Sequence, residues 1–397
     1  MTYSAVLRDR RLATLIGGDA VAKLGDGIGF VALPLLALQV RGAVDPAAAV
    51  SVVLAAPFLL PIAIAVFFGA GRRRFDSRLV VAADGLLRAA TFGLAWLLAH
   101  FGRLTLGLLI GGLFAGCALR LLSSSGRRLL ATGMAGEQAR LPVNGLLGIS
   151  DSLALYVAGP ALGGLISAVA GPAAALAVAA ACYATLPIAA AATTTTPFHG
   201  RTGKARSGLE IIRRHRVASR LLLVVFLFNL CYGPVEVALP LLVTGDLAAD
   251  AGALGVLWTC FGAGALLGAA LTSQLRRFRP RTSIVAVIAG WAAAVAALAA
   301  AGSIPVAALA FTIGGVIYGP FTALAYTYLQ DHLDADDQQP VLTFYTAGVT
   351  LAAPLGLGLA GPLIALLGAR GGLVVSAALT AALAPAVRWW IAPHAQR

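Results

Sequence analysis

The chain has 397 residues, of which 59% are hydrophobic and only 11% are charged, and its mean hydropathy is +0.89. Soluble domains carry roughly 25% charged residues, so this composition excludes a water-soluble globular protein and predicts a chain that lies in lipid. The formal net charge is +13, but the basic residues are placed as in a membrane protein, and we expect no nucleic-acid partner.

Long apolar runs recur along the whole chain. A helix needs about 20 mainly apolar residues to cross the hydrocarbon core, and twelve runs reach that length. In the first half they are residues 12–40, 47–69, 79–99, 104–122, 141–169 and 173–192. In the second half they are residues 221–244, 252–273, 282–301, 305–329, 341–367 and 371–391. The sequence therefore predicts an all-α membrane protein with twelve transmembrane helices.

Basic residues gather in alternate connections between these runs. They are Arg8, Arg10, Arg11, Arg72, Arg73, Arg74, Arg78, Arg127, Arg128 and Arg140, then those of 201–220, and Arg276, Arg277, Arg279 and Arg281. This positive-inside pattern predicts a multi-pass protein of the inner (cytoplasmic) membrane with both termini in the cytoplasm. The first run is too long for a signal peptide and lacks a cleavage site, so we expect it to be retained.

Four short motifs occur twice, in the same order and about half the chain apart. The pairs are ALPLL at 32–36 and 238–242, RRF at 73–75 and 276–278, IGG at 110–112 and 313–315, and AGP at 158–160 and 360–362. Parallel repeats of six-helix halves are a known construction of secondary transporters. The repeat predicts an N-terminal bundle (1–192), a basic cytoplasmic linker (193–220) and a C-terminal bundle (221–397).

Several kinds of chemical site are missing from the sequence. The stretch Gly203-Lys204-Ala205 lacks the Ser/Thr and the upstream glycine of a nucleotide-binding loop. The four cysteines lie far apart in apolar runs and the histidines lie outside the runs or at their ends, which disfavours a disulfide framework or a metal site. No Ser/His/Asp or Cys/His grouping is placed for nucleophilic catalysis. We therefore expect no enzyme, no cofactor and no bound metal.

Longer stretches carry a family resemblance. Residues 24–26 (LGD) precede the first ALPLL, residues 74–76 (RFD) are followed by AADGLLRA at 82–89, and PVN at 142–144 leads into GPALGG at 159–164. Over nearly the whole chain these stretches resemble major facilitator efflux proteins of the macrolide and enterobactin exporter type. The resemblance implies the major facilitator fold of two pseudo-symmetric six-helix bundles. Gly159, Pro160, Gly163 and Gly164 are similar to the end of an antiporter motif of this superfamily, although its upstream glycines are not at the expected spacing.

The loop after the second run departs from the family. The family usually has an acidic residue before the arginine there, as part of a cytoplasmic gate, whereas this chain has Arg72, Arg73 and Arg74. We expect the gating charges to be rearranged, with Asp76 as a substitute. The predicted gating or structural charges are Arg73, Arg74, Asp76, Asp84, Arg88 and Arg120.

Charged residues inside the apolar runs are the best candidates for function, because a charge near the bilayer centre costs about 2.5–3.5 kcal/mol on insertion scales. Asp19, Lys23 and Asp26 share one face of the first run, being spaced i, i+4 and i+7. Asp19 and Lys23 form either a self-neutralised pair or part of a site. Asp26 has no partner within its own helix and is a candidate proton or substrate contact.

Further candidates lie in later runs. Asp84 and Arg88, spaced i and i+4 near the predicted cytoplasmic surface, form either a structural pair that assists gating or a direct part of transport. Arg120 either extends to the lipid head groups or faces the interior. Glu236, like Asp26, has no partner within its own helix. The predicted proton or substrate contacts are Asp19, Lys23, Asp26, Asp151, Asn229, Tyr232 and Glu236.

We predict a monomeric secondary transporter that exports a small amphiphile, such as a drug, siderophore or secondary metabolite, by proton antiport with alternating access. The small excess of interior acids over cations weakly favours a cationic or zwitterionic substrate. One alternative of the same class is an uptake or facilitated-diffusion permease or a lipid flippase. An alternative of another class is a membrane receptor or scaffold that transports nothing.

Overall fold

The computed structural model describes residues 6, 8–70, 76–135, 139–193, 215–272, 274, 280–333 and 335–390. In the first half the helices are α1 (Arg10–Val40), α2 (Pro46–Ala70), α3 (Ser77–His100), α4 (Leu106–Gly116), α5 (Arg120–Ala135), α6 (Arg140–Leu153), α7 (Gly159–Ala170), α8 (Pro172–Tyr183) and α9 (Thr185–Ala191). In the second half they are α10 (Arg216–Leu241), α11 (Ala251–Ala270), α12 (Pro280–Ala300), α13 (Ile304–Tyr318), α14 (Phe321–Asp331) and α15 (Ala335–Trp390). Two π-helical turns, Ala154–Ala158 and Leu242–Asp246, follow α6 and α10.

The count of membrane crossings agrees with the sequence. Eleven stretches of the described residues are long and apolar enough to cross a membrane. The last of them belongs to α15, whose 56 residues would extend about 84 Å at 1.5 Å per residue, far more than one crossing requires. Gly368 interrupts α15 with a φ of 74° and a ψ of 173°, which divides it into two crossings and gives twelve.

The fourth crossing is longer than the sequence predicted. The predicted run ends at residue 122, but α4 and α5 continue it to Ala135, with a short turn at 117–119 between them. Arg127 was predicted to lie in a cytoplasmic connection, and the structure places it within α5 with 3% of its surface exposed. The prediction was wrong because hydropathy falls across the serine- and arginine-rich first turns of α5. The charge of Arg127 is nevertheless tolerated inside the protein, because it pairs with a buried acid.

The chain packs as two units. One consists of residues 1–199 with 250–259, and the other of residues 200–249 with 260–397. The first turns of α11 thus belong to the first unit and the rest of α11 to the second. The predicted division into 1–192, 193–220 and 221–397 stays a prediction, and most of the linker (194–214) lies outside the described residues.

Two glycines at equivalent positions of the sequence repeat, one in each unit, make very close helix contacts. Gly27 and Gly233 each lie five residues before their ALPLL motif. A Cβ on Gly27 would lie 2.9 Å from the Cα of Gly159, and a Cβ on Gly233 would lie 2.6 Å from the backbone nitrogen of Leu357. Only glycine permits backbones to approach this closely. The two halves of the sequence therefore repeat a packing contact as well as a motif.

Candidate functional site

The first unit encloses a network of ion pairs centred on Asp26 of α1. Arg88 of α3 donates a hydrogen bond from Nη1 to Asp26 Oδ1 at 2.6 Å, and Tyr183 of α8 donates its hydroxyl to the same oxygen at 3.1 Å. Arg120 of α5 lies with Nη2 3.8 Å from Asp26 Oδ2. As the sequence indicated, Asp26 has no partner within its own helix, and the structure adds that three other helices supply partners.

Arg88 is held from three sides. Its Nη2 lies 3.4 Å from Asp84 Oδ2, one helical turn earlier on α3, and its Cζ lies 4.0 Å from the centre of the Tyr183 ring, a cation–π geometry. The side chains of Arg88 and Asp84 are 1% and 0% exposed. The predicted i, i+4 pair therefore exists, but it is fully buried and Arg88 makes its shorter contact with Asp26.

A second cluster joins α1 to α5. Arg127 forms an ion pair through Nε with Asp19 Oδ1, donates from Nη1 to the hydroxyl of Ser123 at 2.8 Å, and lies 3.8 Å from Asp84 Oδ2. Asp84 thus lies between the two buried arginines and links both clusters. Of the two possibilities that the sequence left open for Asp19 and Lys23, the structure does not show the self-neutralised pair, because Asp19 pairs with Arg127.

Lys23 pairs with a different acid. Its Nζ lies 4.0 Å from Asp151 Oδ1 of α6, and the two side chains are 17% and 42% exposed. This is a longer and more accessible contact than those of the arginines. Arg120, which the sequence left between the lipid head groups and the interior, points to the interior, where its guanidinium also lies 5.4 Å from the Phe58 ring.

The interior charges of the first unit balance. Four acids (Asp19, Asp26, Asp84 and Asp151) are matched by four cations (Lys23, Arg88, Arg120 and Arg127), and every member lies within 4.0 Å of an opposite charge. Removing one partner from a buried pair leaves an uncompensated charge, which is far more costly than removing both. The network therefore fixes the relative positions of α1, α3 and α5.

The polar face of α10 in the second unit is built differently. Asn229, Tyr232 and Glu236 lie at i, i+3 and i+7 and are all half-buried, so they share one side of the helix. Asn229 satisfies its amide nitrogen locally by donating to the Val225 carbonyl at 2.8 Å. Among the residues that the structure describes, Glu236 has neither an ion-pair partner nor a side-chain hydrogen bond.

Aromatic rings surround Tyr232. Its ring centre lies 5.5 Å from Trp291 of α12, 5.7 Å from Tyr318 of α13 and 6.4 Å from Phe261 of α11. Trp291 and Phe261 are buried, whereas Tyr232 and Tyr318 are half-buried. The indole nitrogen of Trp291 is buried without an acceptor in the described part of the chain.

The glycines of the antiporter-like motif are close-packing positions. A Cβ on Gly163 would lie 2.8 Å from the Ile28 carbonyl oxygen, and one on Gly164 would lie 2.7 Å from the Cα of Gly255. Gly159, as noted above, meets Gly27. Pro160 has no N–H to continue the helical hydrogen-bond pattern, and the π-helical turn Ala154–Ala158 directly precedes the motif.

Two of the predicted gating charges, Arg73 and Arg74, lie outside the described residues. Asp76, the proposed substitute acid, caps the N-terminus of α3 by accepting from the backbone nitrogen of Arg78 at 2.9 Å. The described ranges contain no group of three or more His, Cys, Asp or Glu side chains that could hold a metal ion.

Sequence reasoning missed two members of the network, Arg127 and Tyr183. A usable signal existed for Arg127. Arg127 lies seven residues after Arg120, just as Asp26 lies seven residues after Asp19. If the two helices are antiparallel and these faces meet, Arg120 lies opposite Asp26 and Arg127 lies opposite Asp19. Tyr183 gave no such signal, because it lies in an alanine-rich run without charged side chains.

The family described as transmembrane secretion effector matches residues 3–331 of the chain. The chain belongs to this family. No curated protein matches the sequence of this family member.

Solved transporters share the fold of this secretion-effector family member. The nucleoside transporter NupG superposes with a TM-score of 0.76 at 13% identity, covering 97% of this chain and 100% of that one. The transporter PepTSo of the POT family gives 0.74 at 11% identity, covering 96% and 97%. A bacterial homologue of the lysosomal transporter Spinster, in an inward-facing unoccupied conformation, gives 0.72 at 13% identity, covering 96% of both chains.

Family and fold together establish a multi-pass membrane transporter of the major facilitator type, which is not an enzyme. The expected fold class is thereby confirmed. At these low identities the solved structures show the fold alone, and not the transported compound, the direction of transport or the coupling ion.

Proposed function

We propose that this protein exports a small amphiphilic molecule in exchange for protons, by alternating access. The supporting observation is Glu236, a half-buried carboxyl group in a membrane-spanning helix that lacks a partner among the described residues. A lone charge near the bilayer centre costs about 2.5–3.5 kcal/mol on insertion scales. A bound proton removes that charge, and a bound substrate cation can replace the proton.

We assign the proton to Glu236 rather than to Asp26. Asp26 already accepts hydrogen bonds from Arg88 and Tyr183 and lies near Arg120, so its charge is compensated without a proton. Glu236 has no such compensation. This assignment narrows the sequence-based expectation, in which both acids were equal candidates.

The network of the first unit supports a gating role. Its charged members other than Asp151 lie on α1, α3 and α5, and a change in the spacing of these helices breaks several pairs together. We propose that this network replaces the acid that is missing before Arg74, and that it holds one of the two access states closed. Lys23 and Asp151, which form the most accessible pair, are the proposed members that contact substrate.

The test uses purified protein in liposomes with an imposed pH gradient. Each of a panel of fluorescent amphiphiles is offered on the side toward which protons flow, so that exchange would accumulate the compound on the proton-rich side. For exchange of one proton per uncharged substrate, a gradient of one pH unit supports about tenfold accumulation. We expect wild type to approach that ratio, a protonophore to abolish it, and Glu236→Gln to lose gradient-driven accumulation.

Asp331→Asn is the matched control, since Asp331 is an exposed acid at the end of α14. It should accumulate the compound like wild type. Transport that continues unchanged after the gradient is collapsed would refute proton coupling and favour facilitated diffusion. Absence of transport for every compound, with protein that remains folded, would favour a receptor or scaffold.

A further inference from the structure

The second unit has one interior charge that is not neutralised. In the first unit each interior acid has a cation within 4.0 Å, whereas Glu236 has none in the part of the chain that the structure describes. The sequence indicated a small excess of interior acids over interior cations. Once the ion pairs are taken into account, Glu236 is the carboxylate that accounts for this excess. A positive group that enters the second unit from outside would restore the balance.

The described arginines of the second unit do not supply that group. They lie at or near helix ends, at Arg216, Arg220, Arg281, Arg370 and Arg388. Arg220 on the same helix is about 24 Å from Glu236 along the axis, at 1.5 Å per residue. Arg370 already donates to the Ala299 carbonyl at 2.7 Å and lies 3.9 Å from Asp246.

An aromatic cluster adjoins Tyr232, which lies on the same face of α10 as this carboxylate. Tyr232 is four residues before Glu236 on α10, which places their side chains on one face with Cβ atoms about 5–6 Å apart. The Tyr232 ring stacks on Trp291 with an interplanar angle of 23°, and Tyr318 lies 5.4 Å from Trp291 on another side. The exposed parts of the cluster are the two half-buried tyrosines. A carboxylate beside electron-rich ring faces is an arrangement that attracts organic cations.

Other ligand classes fit this surface less well. A Ca²⁺ ion takes six to eight oxygen ligands and Mg²⁺ takes six, but this face of α10 offers one carboxylate. An anion would meet an uncompensated negative charge. An organic cation with an apolar body satisfies both features, because its charge lies against Glu236 and its apolar surface lies against the tyrosine rings.

We propose that Glu236 and Tyr232 form a recognition site for the positively charged nitrogen or phosphorus of an amphiphilic organic cation. This inference rests on the proposed transport function and names the substrate class for it. One carboxylate cannot hold a proton and a cation together, so binding of the cation displaces the proton. That competition gives exchange without a separate proton site.

The test is equilibrium binding to the purified full-length protein, without any gradient. Tetraphenylphosphonium and tetraphenylborate have the same shape and opposite charge, and ethidium and benzalkonium provide two further cations. We expect the phosphonium to bind at least tenfold more tightly than the borate. Glu236→Gln should weaken its binding at least tenfold, and Asp331→Asn should leave it unchanged.

Two variants of Tyr232 separate the ring from the hydroxyl. Tyr232→Leu should weaken binding of the cation about two- to fivefold, the contribution of a partly exposed cation–π contact. Tyr232→Phe should bind like wild type, because the ring remains. Thermal unfolding of each variant verifies that a loss of binding does not reflect a loss of fold.

Equal binding of the borate, unchanged binding by Glu236→Gln, or failure of all three cations to bind would overturn the proposal. None of these results would affect proton-coupled transport of uncharged compounds in the liposome assay. Conversely, tight binding of the cations through Glu236 without any gradient-driven transport would refute the proposed function and leave the cation site standing. The two ideas therefore fail separately.

Discussion

The pair between Arg127 and Asp19 allows a quantitative test of the buried network. Their side chains are 4% and 6% exposed, so neither charge is solvated by water once its partner is removed. Replacing Arg127 by methionine keeps much of the side-chain volume and removes the cation. Breaking a buried pair in this way costs about 3–5 kcal/mol, whereas an exposed pair contributes about 0–1 kcal/mol.

The double replacement gives the sharper prediction. With Asp19→Leu and Arg127→Met together no charge is left uncompensated at this position, and apolar replacements of a buried pair are often neutral or stabilising. We expect the double variant to be within about 1 kcal/mol of wild type, and each single variant to be less stable than the double. Arg88 still neutralises Asp84, which lies between the two arginines.

The assay is reversible unfolding in mixed micelles, followed by far-UV circular dichroism, for wild type, both single variants and the double variant. Arg128→Met is the matched control, because Arg128 is the adjacent residue, is exposed, and donates from Nε to Asn144 Oδ1 at 2.9 Å. It should change the free energy of unfolding by less than about 1 kcal/mol. A small effect of Arg127→Met, or a double variant as unstable as the sum of the singles, would refute the buried pair.

Three further predictions concern packing and backbone. Gly27→Ala should lower the free energy of unfolding by about 1–3 kcal/mol, since a Cβ there would lie 2.6 Å from a backbone oxygen of the π-helical turn; Gly148→Ala, where nothing lies within 4 Å, should not destabilise. Tyr183→Phe should cost about 1 kcal/mol through the lost hydrogen bond to Asp26, while the cation–π contact of its ring persists. Gly368→Ala should cost about 1–2 kcal/mol through its φ of 74°, and limited proteolysis should then cut near this position sooner than in wild type.

Each of these has a clear contrary result. Equal stability of the two alanine variants at 27 and 148 would contradict the close approach of α1 and α7. A phenylalanine at 183 that leaves stability unchanged would show that the hydroxyl makes no net contribution. An alanine at 368 that is tolerated, with no change in proteolysis, would mean that α15 does not bend at that glycine.

Much of the fold follows from local properties of the sequence. Apolar runs of sufficient length gave the twelve crossings, because the backbone must satisfy its hydrogen bonds within each helix in lipid. The repeat of ALPLL placed equivalent helices in the two halves, and the matching glycines at 27 and 233 show that it also carries a packing contact. What hydropathy missed was the end of the fourth crossing, where α5 continues the helix and buries one of its faces, including Arg127.

The candidate site was less predictable, because its charges pair between helices. The spacing within α1 placed Asp19, Lys23 and Asp26 on one face, as the structure has them, but one sequence does not show which helix that face meets. The sequence therefore left open whether Asp19 pairs with Lys23, the nearest cation on the same helix, or contributes to a site. The sequence predicted that Glu236 has no partner within its own helix, and the structure agrees. The structure adds that the other described helices supply no partner either.

Proton flux driven by substrate is the most direct test of the proposed exchange. Liposomes containing the purified protein and a pH-sensitive dye are exposed to a sudden gradient of a transported amphiphile, with no initial pH difference. We predict that protons leave as the compound enters in wild type and that this proton movement disappears in Glu236→Gln. Entry of the compound without proton movement, or equal proton movement in the variant, would contradict the account.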